Sequence, residues 1–110
     1  MNNAIVRFGK PLFFATAFFA FATMPAYAQS GAALYKSKCA MCHGADGKGD
    51  TPVGKSLKLR DLSSADVQKQ SDAELVAITR DGKGRMPPYK GKLTDAQIKD
   101  IVAFIRTLKK

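Results

Sequence analysis

The stretch Cys39-Ala40-Met41-Cys42-His43 constrains this chain more than any other, because it gathers both cysteines and the only histidine of 110 residues into five consecutive positions. Two thiols at that spacing can form a redox pair, but such a pair sits at a helix start inside a β-α-β frame, and no strand pattern stands beside it. A structural zinc site takes four ligands, as a rule from two such pairs. Here there is no third cysteine and no second histidine. A disulfide closing so short a loop would restrict the unfolded chain very little.

The N-terminal segment has to be set aside before any fold is considered. Arg7 and Lys10 precede the apolar run PLFFATAFFAFATM, which ends at the small-residue site Ala26-Tyr27-Ala28. This reads as a secretory signal peptide over residues 1–28, cleaved after Ala28. The run stops before Pro25, short of the ~20 apolar residues that a membrane span needs; an uncleaved anchor is the alternative reading. Taking 28 residues from 110 leaves 82, enough for one small domain over residues 29–110. A domain of that size usually needs a staple, a metal or a bound cofactor.

Of the 18 Lys and Arg only Arg7 and Lys10 leave with the leader, and all 9 Asp and Glu stay, so the net charge falls from +9 to about +7. Charge alone allows nucleic acid, anionic membrane and acidic protein partners. Export argues against nucleic acid, and so do basic residues that stand singly, without the aromatic interleaving of single-strand binding.

No internal repeat or low-complexity run follows the leader, and the strand signal is poor. Helix punctuation recurs instead. Ser71-Asp72-Ala73-Glu74 and Thr94-Asp95-Ala96-Gln97 both match the capping box. Behind the second, Ile98, Ile101, Val102, Ile105 and Leu108 recur at spacings of three and four, one apolar stripe of a last helix. A first helix is expected from near Ser30 into the cysteine pair, with Gly31, Leu34, Tyr35 and Cys39 as its stripe, and a short one over Ala65 to Gln70. The stretch from His43 to Ser64 is too rich in Gly and Pro for a helix and reads as a long loop, as does RDGKGRMPPYKGK, where Gly82 and Gly84 end one helix and Pro87-Pro88 prevent another.

In an exported chain with these surroundings, Cys-x-x-Cys-His reads as the attachment site of one c-type haem. Cys39 and Cys42 would each add to a vinyl group, and His43 would ligate the iron. One helical turn carries the two thiols to adjacent edges of a flat macrocycle, with the next residue beneath its centre. The sixth ligand follows by elimination among the chain's four methionines: Met1 and Met24 leave with the leader, and Met41 is held between the two thioether positions. Met86, in GKGRMPPY, remains, with lysine ligation or an open site as the alternatives.

At this point the mature chain resembles the class I cytochromes c, the small bacterial electron-carrier type, over nearly all of residues 29–110. In that family the first and last helices cross through a glycine and an aromatic eight and four residues before the first cysteine, the places of Gly31 and Tyr35 here. Phe104, with Ile101, matches the partner pair on the last helix. The resemblance implies that the carbonyl of Pro52, nine residues beyond His43, accepts the imidazole Nδ1 proton, a role compatible with plain loop stiffening. It also makes Arg60, Arg85, Tyr89 and Lys92 candidates to pair with the haem propionates, though each reads equally as solvated surface. The loop TPVGKSLKLRDL is short and lacks the tryptophan that larger members place near a propionate.

The resemblance implies an all-α cytochrome c fold, three to four short helices and wrapping loops around one covalently attached haem c. With both axial sites filled by side chains, no position is open to a substrate. The expected function is therefore a monomeric, non-enzymatic periplasmic carrier that passes single electrons between partners. Those partners would present acidic docking patches: a membrane oxidase, a quinol-oxidising complex or a periplasmic dehydrogenase. A haem enzyme or ligand-binding protein with a labile sixth ligand is the alternative, and it would want a distal base that no spare histidine supplies. A sensing module of a larger complex is a third.

Overall fold

The computed structural model describes residues 9–13, 15–17 and 30–110. Five of its six helices open on a serine or threonine whose hydroxyl accepts a backbone N–H three residues on, the local chemistry that satisfies free donors at a helix start. The helices are α1 Gly31–Lys38, α2 Ala40–His43, α3 Pro52–Leu57, α4 Ala65–Gln68, α5 Asp72–Asp81 and α6 Asp95–Thr107. Both capping boxes form, Ser71 with Glu74 and Thr94 with Gln97. Among the described residues there is no strand, only isolated bridges at Lys83–Met86 and Lys90–Leu93. The segment read as a leader, with its cleavage site, lies outside the described residues except for 9–13 and 15–17. No helix among the described residues is long and apolar enough to cross a membrane.

Two expectations need correction. Among the described residues six helices form rather than three or four, and one of them, α3, lies inside the stretch read as a loop. Its start was written in the sequence: Thr51 caps it, with Oγ1 accepting from Gly54 N at 2.9 Å, and Pro52 takes the first position, where a missing N–H costs nothing. Gly54 had argued against a helix, yet it is buried, and a Cβ there would run into the carbonyls of Gly49 and Cys42. Close packing outweighs the poor propensity of glycine at this site. Lys58, at φ 53°, closes the helix in the left-handed conformation.

The core sits where α1 crosses α6. Leu34, Tyr35, Ile101 and Ile105 form one buried cluster, and Val67, Leu75 and Val102 a second between α4, α5 and α6. At the crossing Gly31 lies on the Asp100 carbonyl so closely that a Cβ would overlap it. The Tyr35 and Phe104 rings then meet at 4.9 Å between centroids and 47° between planes, a tilted pairing that aromatic quadrupoles favour. Arg106 ties the far end together: Nε donates to Asp72 Oδ1 and Nη1 to the Gln68 carbonyl, each at 2.8 Å, and Nη2 to the Gln70 carbonyl.

The crossing predicts an inverted propensity effect. Gly31→Ala should destabilise the protein by about 1–3 kcal/mol through overpacking, more than the reverse change at the exposed neighbour, Ala32→Gly, which should cost about 0.5–1 kcal/mol. Urea unfolding midpoints of the two variants check the order.

Candidate functional site

The Cys39–His43 segment is held from outside. α1 ends at Lys38, and Cys39 turns the chain into α2, donating its N–H to the Tyr35 carbonyl at 2.8 Å. α2 is a four-residue helix, too short to persist alone because nucleation costs more than one turn returns. Its last carbonyls are met by donors from three other places, each at 2.7 Å: Thr51 Oγ1 donates to the Cys42 carbonyl, Gly49 N to the His43 carbonyl, and the Tyr35 hydroxyl to the Gly44 carbonyl. The peptide groups on both sides of His43 are thereby fixed, and with them the direction of its Cα–Cβ bond. The Tyr35 phenol is buried, and burial, with Cys39 and Asp46 nearby, pushes its pKa well above the ordinary value.

Met86 is placed by a different device. α5 stops at Gly82, whose backbone at φ 77° and ψ 166° is in a region open to glycine alone. A Cβ there would also come within 2.7 Å of the Met86 carbonyl. Lys83 and Met86 then pair N–H to carbonyl in both directions, at 3.2 and 3.0 Å. Beyond the two prolines the chain returns to the end of α5, where Tyr89 N and Lys90 N donate to the carbonyls of Thr79 and Arg80 at 3.2 and 3.0 Å. A helix end leaves such carbonyls without intrahelical partners. The Met86 segment supplies them.

These two segments bound two adjoining cavities with about 450 and 460 Å³ of atom-free space, each partly open to solvent. Cys39, His43 and Met86 line both. Lys38, Cys42, Leu57, Leu59, Arg85 and Tyr89 contribute to the first, and Leu62, Val67, Leu75 and Ile78 to the second. Both thiols are free. Burial, with Cys42 beside it, raises the Cys39 thiol to about 11, so it is protonated at neutral pH. Burial lowers the His43 pKa, which favours the neutral imidazole that a metal requires. An apolar slot walled by two thiols, a neutral imidazole and a thioether fits a flat, iron-bearing macrocycle held by its edge.

Some sequence-predicted residues are not at this slot. Arg60 lies in a separate surface recess with Asp61, Ser64 and Asp66, carried there by the turn that follows α3. Pro52 is the first residue of α3 and exposed, and His43 Nδ1 is buried without a hydrogen-bond partner. No hydrogen bond joins the Pro52 carbonyl to that nitrogen in this structure. Tyr89 lines the first cavity, but its hydroxyl donates to the Lys38 carbonyl at 3.0 Å, and Lys92 Nζ stands 5.8 Å from the centre of its ring. Arg85 is the one charged residue of the four that lines the cavity. Met41 is 78% exposed and apart from both cavities, as its position between the thiols requires. Thr51 was missed, although a threonine before a proline is a readable cap-and-first-turn signal.

Residues 26–105 match the family described as Cytochrome C oxidase, cbb3-type, subunit III. The chain is 33% identical to the cytochrome c6 of Nostoc sp. over 93% of its length and 87% of that protein's. It is 31% identical to the cbb3-type cytochrome c oxidase subunit FixPc of Rhizobium leguminosarum bv. viciae over 76% of its length but only 29% of that protein's. The KustC0563 c-type cytochrome superposes with a TM-score of 0.69 at 36% identity, covering 74% of this chain and 99% of that one. The chain belongs to the small class I c-type cytochromes. Its fold is the all-α fold of that family, its cofactor is haem c, and electron transport is its work.

The two thiols carry the first chemical test. Cys39→Ser combined with Cys42→Ser should give a chain without covalent haem on a denaturing gel stained for haem peroxidase activity. Since the slot lies between the helix crossing and the Met86 segment and its walls include core residues, that chain should also have lost most of its helical circular dichroism.

Proposed function

We propose that this protein is a mono-haem carrier that shuttles single electrons between redox partners in the periplasm, with His43 and Met86 as the two axial ligands of the iron. The observation that carries the reading is that His43 and Met86, 43 positions apart (86 − 43) in the sequence, line the same two cavities as Cys39. Haem c bound there supplies a one-electron ferrous–ferric couple. The chain's part is to hold and tune it. Cys39 and Cys42 anchor the macrocycle, His43 presents an imidazole fixed by the ties on its flanking peptides, and the thioether of Met86 favours the ferrous state and raises the potential. The apolar walls exclude water and keep the local dielectric low. With both axial positions taken by side chains no substrate reaches the iron, which makes the protein a carrier and not an enzyme. Export by cleavage after Ala28 would deliver residues 29–110, acting as a monomer, to the compartment where such partners meet.

Charge supports acidic partners. Lys38 and Arg85 stand at the rim of the first cavity, and the exposed Lys83, Lys90 and Lys92 follow on the same segment, which carries no acid from 83 to 93. The described ion pairs use other cations, Lys69, Arg80, Arg106 and Lys110. Solvated charge at the rim steers encounters more than it tightens them. A membrane oxidase is one such partner, in keeping with the likeness to FixPc, and a quinol-oxidising complex or a dehydrogenase is another.

Ligation is tested at Met86. Met86→Ala should open the iron to carbon monoxide in the reduced protein, and Met86→His should give a low-spin spectrum with a markedly lower potential. The unsubstituted protein should bind carbon monoxide poorly, and Met41→Leu should behave like it. Rapid binding to the unsubstituted protein, with Met86→Ala spectrally the same, would move the reading to a ligand-binding haem. For docking, stopped-flow electron transfer to an acidic redox partner should slow several-fold as ionic strength rises past about 0.1 M, where the screening length is about 10 Å. A flat profile would sink the basic rim as the docking surface.

A further inference from the structure

The Met86 segment is secured unevenly. At its C-terminal end it is tied to α5 through Tyr89 N and Lys90 N, and Leu93 packs against the core. Toward Cys39–His43, on the far side of the slot, the described hydrogen bonds give it one tie: Tyr89 Oη donates to the Lys38 carbonyl at 3.0 Å, across 51 residues of sequence. That carbonyl ends α1 and needs an outside donor, and it belongs to the peptide that leads into Cys39. Tyr89 and Lys38 line the same cavity, three residues from Met86 and one from Cys39. The ring is half-buried, and Lys92 lies over it. A phenylalanine would fill the same space but could not make the bond.

We propose that the Tyr89 hydroxyl is a latch that closes the Met86 segment onto the Cys39 turn, so that Tyr89 is a positioning residue for the thioether. The inference rests on the reading of Met86 as an axial ligand. Without the latch the segment can swing away from the slot on its α5 anchor, and the thioether leaves the iron more often. The latch thus sets how closed the site is to outside ligands, which is the physical difference between a carrier and a ligand-binding haem.

The experiment measures cyanide binding to the oxidised, haem-loaded protein at concentrations where departure of the native ligand limits the rate. Tyr89→Phe should bind about two- to tenfold faster, the shift in the open population expected from losing one hydrogen bond of ordinary net worth. Ser71→Ala, which removes the remote cap of α5, should lower global stability and leave the cyanide rate alone. Met86→Ala should bind fastest of all. In the unsubstituted protein the Lys38 carbonyl carbon should show a deuterium isotope shift transmitted from the Tyr89 hydroxyl, a readout independent of any variant. An unchanged rate in Tyr89→Phe beside a fast Met86→Ala would overturn the latch alone. So would a changed pH dependence of the potential without a faster cyanide rate, since that is the mark of a hydroxyl paired with a propionate. A Met86→Ala protein no faster than the unsubstituted one would overturn the ligand reading, and the latch with it.

Discussion

The close approach of α1 and α6 at Gly31 is the constraint on which the rest of the structure depends. With no side chain between them, the Asp100 carbonyl occupies the space that a Cβ on Gly31 would take, and one turn along the crossing the Tyr35 ring meets Phe104. Tyr35 in turn lies 1% exposed with its hydroxyl on the Gly44 carbonyl. One residue therefore joins the helix crossing to the turn that carries both thiols and the imidazole. Apolar burial supplies most of the free energy, but the hydroxyl decides where α2 points, since a buried carbonyl left without a donor is costly.

The slot is assembled from parts that are unstable alone. α2 and α4 are single turns of four residues, α3 has six, and the Met86 segment holds only an isolated bridge. Each is stabilised by satisfying the open hydrogen-bonding groups of another: Thr51 and Gly49 serve α2, Tyr89 and Lys90 serve α5, and the Tyr89 hydroxyl serves α1. Buried polar groups must be paired somewhere, and with no strand among the described residues they are paired between helix ends and loops. The same economy leaves the centre of the domain apolar and partly open, which suits a cofactor that completes the core.

Several parts of this arrangement were legible because they are local. The two capping boxes and the apolar stripe of α6 appear where they were read, since an N-cap needs only four consecutive residues and a stripe only a period. The thiol–thiol–imidazole spacing implied its chemistry for the same reason. α3 was not legible in that way. Its start signal, Thr51-Pro52, was in conflict with Gly54, and the conflict was settled by backbone atoms of Gly49 and Cys42 that sequence spacing does not bring near. Arg60 and Arg85 are alike as residues, yet one faces a surface recess and the other the cavity, because the turn after α3 and the Met86 segment leave the core in different directions.

By itself, the sequence determined what could be attached and where: two thiols one turn apart, one imidazole next to them, one thioether left in a segment that cannot be helical, and a charge balance that favours acidic partners. Those features depend on residue identity and short-range spacing, and no tertiary structure can alter them. Only the tertiary structure decided which groups meet across the slot. It put Pro52 at the head of a helix, turned the Tyr89 hydroxyl to the Lys38 carbonyl, and brought the Thr51 hydroxyl to the Cys42 carbonyl. Hydrogen bonds between distant segments are settled by the packing of whole helices, here by a crossing distance that a single missing side chain at Gly31 allows.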